Sequence, residues 1–321
     1  MCHWLLHFSP GAFALKVLCL FIVELPSVKR LYSVRASDLK QQYKLLGTDI
    51  SRIIDGVEEF ELIEDDDGLR TWSPQVTGDS QFYSELADNN SWYYLSDKKE
   101  YDIAFEFIGG KSVLEVGCGE GYFPLKKNIS SYTGLELNQE AVKRANAKGL
   151  NVKLQNFQEY ASQNQSSVSN VCSFQVLEHL PAPGEFFQSA FKVLRDDGLM
   201  ITAVPSEDSF AGTIKANCLN APPHHITRWT DRCLKMLPSK FGFECIDIVH
   251  IPVEPIHYNW FWSTLLDSIF NQPGSKASIK DKIKRRILMK ILGSLGVTNI
   301  VPDEFCIPGH TVVAVHKKIA T

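Results

Sequence analysis

The 321-residue sequence predicts an α/β fold, an open parallel sheet with helices on both faces, preceded by an N-terminal extension. Three observations predict it. Short apolar runs alternate with segments of helical period from about Gly109 to Val253, the pattern of strands joined by crossover helices. The first run, Val113-Leu114-Glu115-Val116, enters a turn with glycines at alternate positions, Gly117, Gly119 and Gly121. The second, Tyr132-Thr133-Gly134-Leu135, ends in a carboxylate, Glu136, about 20 residues after that turn begins.

The elements follow in order. Strand one stops at the glycine turn, where residues without a Cβ let the backbone bend sharply and approach a ligand. Glu136 closes strand two where a carboxylate can accept hydrogen bonds from both hydroxyls of a ribose, which is the layout of a nucleoside-binding βαβ unit. A helical segment over 139–148 comes next. Asn151-Val152-Lys153-Leu154-Gln155-Asn156-Phe157 reads as a short third strand ending in a polar residue and an aromatic. Val171-Cys172-Ser173-Phe174-Gln175-Val176 is strand four, running into Leu177-Glu178-His179-Leu180-Pro181 and a helix over 184–194. Strand five lies in 194–205, with a helix over 231–240 after it. Strand six spans 243–251 and the last strand is Thr311-Val312-Val313-Ala314-Val315-His316. Sheets of this kind bind ligands at the carboxyl ends of their strands, where Glu115, Glu136, Asn156 and Gln175 fall.

The glycine spacing is G-x-G-x-G, not the G-x-G-x-x-G of nicotinamide and flavin enzymes. With Glu115 before it, the run resembles the first motif, E/D-x-G-x-G-x-G, of the class I S-adenosylmethionine-dependent methyltransferases. Val176-Leu177-Glu178-His179-Leu180-Pro181 is similar to the V-L-E-H-x-P version of that family's fourth motif. This version occurs in methyltransferases like those of ubiquinone and menaquinone biosynthesis, and in bacterial relatives of unassigned substrate. The resemblance implies a Rossmann-like seven-stranded sheet whose last strand is antiparallel and inserts beside strand five. It implies S-adenosyl-L-methionine as cofactor, held by Glu115, Gly117, Cys118, Gly119, Gly121, Glu136, Leu137, Asn156, Phe157, Gln175 and Leu177. Glu115 suits the cationic side of that ligand and would repel a pyrophosphate. Two positions depart from the family pattern. Asn156 stands where an Asp usually touches the adenine amino group, and Asp197 replaces one glycine of a pair before strand five. A nicotinamide-dependent oxidoreductase and a non-catalytic binding protein of the same fold are the alternatives.

The flanks divide the chain into an apolar segment over 1–34, a cap over 35–108 and the cofactor-binding domain over 109–321, with an insertion at 254–309. The apolar run Ala12–Val23 is interrupted by Lys16 and is short for a membrane span, which needs about 20 apolar residues. It reads as a packing helix or an addition from an upstream start codon, with a monotopic anchor as the alternative. In the cap, 59–64 and 69–74 form a hairpin across the acidic turn Asp65-Asp66-Asp67-Gly68. The helical segment Lys98–Ile108 precedes strand one, and Tyr93 and Tyr101 are the aromatics expected to line the methyl-donor pocket. The insertion carries Tyr258-Asn259-Trp260-Phe261-Trp262 and a basic helix over 280–292. That helix reads as a surface helix packed on its Ile/Leu face, with a weak peripheral membrane contact as the alternative.

Hydrophobic content of 44% and charged content of 22% fit a globular protein, and a net charge of −4 gives no sign of a nucleic-acid surface. The eight cysteines form no C-x-x-C and suit reduced thiols in a cytoplasmic protein. Methyl transfer from a sulfonium is an in-line displacement in which the enzyme mainly aligns the nucleophile. An oxygen acceptor also benefits from a base. The candidates are His179 after strand four, and His224 and His225 in Pro222-Pro223-His224-His225-Ile226-Thr227-Arg228-Trp229 after strand five, which resembles a P-P-H-H-x-x-x-W feature of the bacterial relatives. Each can also be a structural histidine bonding a loop carbonyl. Glu178 and His179 alone do not make a metal site, so none is expected. The acceptor is expected to be a small molecule or glycan intermediate, methylated on oxygen.

Overall fold

The computed structural model describes residues 28–90, 95–215, 217–270, 279–301 and 307–319. The apolar run at 12–23 and Tyr93 lie outside these residues. In chain order the elements are β1 (Lys29–Arg35), α1 (Ala36–Leu45), β2 (Glu59–Glu64), β3 (Leu69–Ser73), α2 (Ser80–Asn89), α3 (Lys99–Ile108) and β4 (Val113–Val116). Then come α4 (Tyr122–Lys127), β5 (Tyr132–Glu136), α5 (Gln139–Ala147), β6 (Val152–Leu154), α6 (Phe157–Gln163) and β7 (Val168–Phe174). The chain continues through α7 (Pro183–Val193), β8 (Leu194–Pro205), β9 (Thr227–Trp229), α8 (Asp231–Ser239) and β10 (Phe243–Pro252). It closes with α9 (Tyr258–Phe270), α10 (Ile279–Ser294) and β11 (Pro308–Lys318).

The main sheet has seven strands in the order β10-β11-β8-β7-β4-β5-β6. β4 through β8 run parallel, and β11 is antiparallel to both β8 and β10. This is the expected Rossmann-like sheet with its last strand inserted beside strand five. The reason is visible in burial. Val312 to Val315 are all buried, so β11 needs a covered, central place rather than an edge. Helix starts are set locally. Asn138 accepts from the backbone N–H groups of Glu140 and Ala141 at the head of α5, and Thr230 accepts from Cys233 N–H at the head of α8.

The N-terminal part forms a second sheet, β1-β2-β3-β9. The expected hairpin is there, with Glu61 opposite Ser73 and Glu64 opposite Arg70. Its turn is closed by Asp65, whose Oδ1 accepts from Asp67 and Leu69 N–H. This sheet does not close within residues 35–108. The free edge of β3 is covered by β9, which comes from the loop after β8. A separate core of Leu39, Tyr43, Ile54, Phe60, Trp72, Phe82 and their neighbours lies under it.

A buried charge network joins the two sheets. Glu207, just after β8, receives Arg228 Nε on Oε1 at 2.5 Å and Arg70 Nη1 on Oε2 at 2.8 Å. Arg228 also donates to the Tyr32 hydroxyl. Both Glu207 and Arg228 side chains are 1% exposed. On α10, Ile283, Ile287 and Ile291 are 54%, 53% and 48% exposed, so this face is not covered by the described residues. No helix among the described residues is long and apolar enough to cross a membrane.

Removing one member of a buried ion pair leaves its partner charged in low dielectric. Glu207→Gln is expected to destabilise the protein by about 3–5 kcal/mol, read as a shift of the denaturant midpoint. A loss below about 1 kcal/mol would show that the network is not what joins the sheets.

Candidate functional site

A cavity of about 1120 Å³ opens at the carboxyl ends of the parallel strands. Its wall beside β4, β5 and β6 carries Glu115, Gly117 to Glu120, Glu136 to Asn138, Asn156 and Phe157. Its wall beside β7, β8 and β11 carries Gln175, Glu178, His179, His224, His225, His257, Trp260 and His310.

The glycine turn divides its labour. A Cβ on Gly117 would lie 2.5 Å from Val176 Cγ2, and one on Gly121 would lie 2.2 Å from Leu150 Cδ1. These two glycines allow internal packing. Gly119 has φ +54 and nothing within 4 Å of the place its Cβ would take. It is the one glycine of the three that leaves space for a ligand. Glu136 is held in position by the same turn. Its Oε2 accepts from Gly119 N–H at 2.8 Å, and its Oε1 accepts from Leu137 N–H at 2.7 Å and Asn138 N–H at 2.8 Å. The carboxylate therefore faces the cavity in one fixed orientation, with acceptor capacity left on Oε2.

Glu115 sits deeper. It is 2% exposed and accepts from the Tyr132 hydroxyl at 2.6 Å. Burial pushes its carboxyl up to about 8, against the opposing pull of that hydrogen bond and of Lys98. A cation in the cavity would favour its ionised form. Tyr101 is buried against Phe123 and Phe174 and also lines the cavity.

Most residues expected to hold the cofactor line this cavity, and two do not. Gly121 starts α4 behind the turn. Leu177 is 1% exposed and belongs to the core, because the 3-10 turn Leu177–His179 points its side chain inward toward the helices. Asn156 caps α6, its Oδ1 accepting from Glu159 N–H at 2.7 Å. Asp197 is not among the residues that line the cavity; it has φ 60 and pairs with Lys317. Its left-handed backbone is one that glycine, and after it Asn and Asp, adopt most readily.

The three candidate histidines meet. The ring of His179 is 4.9 Å from those of both His224 and His225, and the latter two stack at 4.2 Å. The loop before β9 is held from both sides. Ile226 N–H donates to the Glu178 carbonyl at 2.8 Å, and Trp72 N–H donates to the Ile226 carbonyl at 2.9 Å. From the small sheet's core, Tyr43 donates to the Cys218 carbonyl at 2.8 Å and Trp72 Nε1 to the Asn220 carbonyl at 3.1 Å. Burial pulls His179 down to about 4 and His224 down to about 3, so both imidazoles are neutral at pH 7. His225 is depressed for the same reason.

Sequence reasoning missed several lining residues. Tyr83 lies 3.2 Å from His179 Nδ1. His257, Trp260 and His310 form a ring cluster with centroids 5.3 to 5.6 Å apart. They come from the insertion and the last strand, where no short motif marks them.

The chain matches a family profile described as a methyltransferase domain over residues 89–248. A Mycolicibacterium smegmatis protein described as a probable S-adenosylmethionine-dependent methyltransferase is 29% identical over 174 residues, covering 52% of this chain and 64% of that protein. The chain thus spans less than two thirds of this relative's length. A ubiquinone biosynthesis O-methyltransferase of Glaesserella parasuis is 27% identical over 202 residues, covering 53% of this chain and 77% of that one. Among solved structures, a Burkholderia thailandensis 1,6-didemethyltoxoflavin-N1-methyltransferase with bound S-adenosylhomocysteine matches with a TM-score of 0.48 and 14% identity, over 94% of this chain and 98% of that one.

The glycines separate packing from binding. Gly121→Ala is expected to lower stability through its clash with Leu150 and its positive φ. Gly119→Ala is expected to cost only about 1–2 kcal/mol in stability while its methyl group blocks an adenine nucleoside. Thermal melts with and without the nucleoside check this, and equal ligand binding by Gly119→Ala and the parent would refute the assignment.

Proposed function

This chain belongs to the S-adenosylmethionine-dependent methyltransferases through its domain at residues 89–248, and on that premise we propose a finer activity. It transfers the methyl group to a hydroxyl oxygen of a small-molecule or glycan acceptor seated over His179, His224 and His225, one imidazole taking the hydroxyl proton. The observation that carries the cofactor side is the fixed Glu136 carboxylate beside the open face of Gly119. A ribose diol finds its acceptor already oriented, which is the form of recognition that needs no rearrangement. The short α4, six residues long, and the buried Glu115 do not suit a pyrophosphate, which disfavours the nicotinamide alternative.

S-adenosylmethionine, when bound, would supply an activated methyl group, which passes to the acceptor oxygen as its bond to the sulfonium sulfur breaks and S-adenosylhomocysteine leaves. The protein aligns that oxygen and keeps water away. Each cluster histidine has its Nδ1 against a carbonyl-type oxygen, so the basic lone pair is on Nε2. A neutral imidazole is the form that accepts a proton. The oxygen acceptor of the Glaesserella relative supports an oxygen acceptor here.

Calorimetric titration with S-adenosylhomocysteine, with NADH as control, tests the cofactor. Micromolar binding of the former alone is expected. The ligand's ammonium group favours ionised Glu115, so binding draws a proton off this residue below about pH 8. Affinity is therefore expected to rise with pH up to about 8, by at most about tenfold per unit, and then level off. Glu115→Gln should flatten that slope. A wild-type affinity that does not change between pH 6 and 8 would remove Glu115 from the cationic end.

His179→Ala with His224→Ala should lower kcat by about 10²–10⁴-fold with S-adenosylhomocysteine affinity retained. Intact turnover in the double variant would rule out a histidine base. Binding without turnover on any acceptor would instead favour the non-catalytic alternative.

A further inference from the structure

We propose that His179, His224, His225 and Glu178 form a binding site for a first-row divalent transition metal of the zinc class. The sequence offers only the adjacent pair Glu178 and His179. The fold adds two more imidazoles from the loop before β9. One ring nitrogen of each histidine lies within 4.8 Å of those of the other two.

The hydrogen bonds select which nitrogen of each ring carries the lone pair. Nδ1 of His179 is 2.6 Å from the His224 carbonyl, and Nδ1 of His224 is 2.9 Å from the Leu219 carbonyl. Nδ1 of His225 is 3.2 Å from Asn220 Oδ1. That amide is oriented by its own Nδ2, which donates to Glu207 Oε1 at 3.3 Å. A carbonyl oxygen only accepts, so all three histidines carry the proton on Nδ1 and the lone pair on Nε2. Metal-binding histidines have this arrangement. One nitrogen meets the metal, and the other N–H is tied to a carbonyl or carboxylate that fixes ring and tautomer.

Glu178 is the second, independent observation. Its side chain is 1% exposed, and neither carboxylate oxygen has a hydrogen-bond partner among the described residues. Oε1 lies 3.9 Å from His225 Nε2. A buried carboxyl group without a partner is unfavourable and uncommon. Glu178 lies outside the group of three histidine nitrogens within 4.8 Å of one another, and a cation held beside His225 Nε2 would give its carboxylate the partner it lacks.

The donor set decides the metal. Imidazole nitrogens with one carboxylate suit zinc and its first-row neighbours. Magnesium and calcium prefer shells of oxygen. Tetrahedral zinc at about 2.0–2.1 Å from each nitrogen places ligand atoms about 3.3 Å apart, closer than the 4.8 Å within which one ring nitrogen of each histidine lies, so the imidazoles close in on binding. All four residues line the cavity, so a ligand entering it reaches the metal. The site goes beyond the methyl-transfer reading. A metal there would occupy the Nε2 lone pairs, while in the metal-free chain the same imidazoles take the acceptor's proton.

The test uses the full chain stripped of metal. Zn²⁺ is titrated calorimetrically and Co²⁺ by visible absorption, with S-adenosylhomocysteine titrated in parallel. One equivalent of zinc per chain is expected to bind, with a cobalt spectrum typical of low coordination. Glu178→Gln and His224→Gln should each weaken zinc binding by about 10- to 100-fold or more, with S-adenosylhomocysteine affinity unchanged. Glu178→Gln is nearly isosteric, so it keeps the test valid if the histidine variant fails to fold. Absence of zinc binding, or equal affinity in the parent and Glu178→Gln, would overturn the site and leave the histidine-base reading standing. Zinc bound by a chain that does not bind S-adenosylhomocysteine would leave the metal site intact and sink the methyl-transfer reading.

Discussion

Glu207 follows the strand β8 and carries its carboxylate between two guanidinium groups, Arg70 of β3 and Arg228 of β9. A charge buried to this extent is tolerated only with its partners in place. The two arginines come from different parts of the chain, so satisfying Glu207 brings the small sheet against the large one. β9 is then fixed between β3 and the end of β8, where Ser206 bridges Trp229. The loop ahead of β9 has no freedom left. Its carbonyls at Cys218, Asn220 and Ile226 are taken by Tyr43 and Trp72, and its Ile226 N–H by Glu178. His224 and His225 are set opposite His179 as a consequence.

The cavity that results has two chemically distinct walls. Along β4 and β5 the groups are carboxylates, Glu115 and Glu136, one buried and one oriented by three backbone N–H groups. Along β7, β8 and β11 the groups are imidazoles kept neutral by burial, His179, His224 and His310, with the buried carboxyl of Glu178 among them. In a low-dielectric enclosure this difference is amplified. A ligand with a positive end is drawn toward the carboxylates. The neutral wall is left for a second molecule whose reacting atom needs a lone-pair donor or a metal held by such donors. The sheet's strand order alone separates these walls, since β7 and β4 are neighbours at its centre.

The cofactor half of this arrangement was legible because it is local. Strand, glycine turn, helix and second strand lie within 113–136, and Glu136 is bonded to the turn it follows by 17 residues. The strand sequence, the helices at 139–147, 183–193 and 231–239, and the antiparallel last strand were legible for the same reason or through family resemblance. The acceptor half is assembled over long distances. Tyr83 meets His179 across 96 positions, and Trp72 reaches Asn220 across 148. No periodicity records such a contact. Leu177 was assigned to the cofactor from a motif, and the motif does not say which side of a 3-10 turn faces the core. The strand β9 is three residues long and earns its place only through the open edge of β3.

Asn156 shows how one atom can change what a site reads. A backbone N–H can only donate, so the cap on α6 must use the side-chain oxygen, and Glu159 N–H occupies it at 2.7 Å. What remains for a ligand is the amide –NH₂ and the second lone pair of Oδ1. An aspartate at this position has a second oxygen, which could cap the helix and still accept from an adenine amino group. Asparagine has one acceptor atom, so a ligand amine would have to share Oδ1 with Glu159 N–H, while its –NH₂ can donate to an acceptor on the ligand. Phe157 lines the cavity beside Asn156, and the fixed Glu136 carboxylate lies on the same wall. A helix cap and a cavity-facing group thus draw on the same side chain, and the cap takes one lone pair of its single acceptor oxygen.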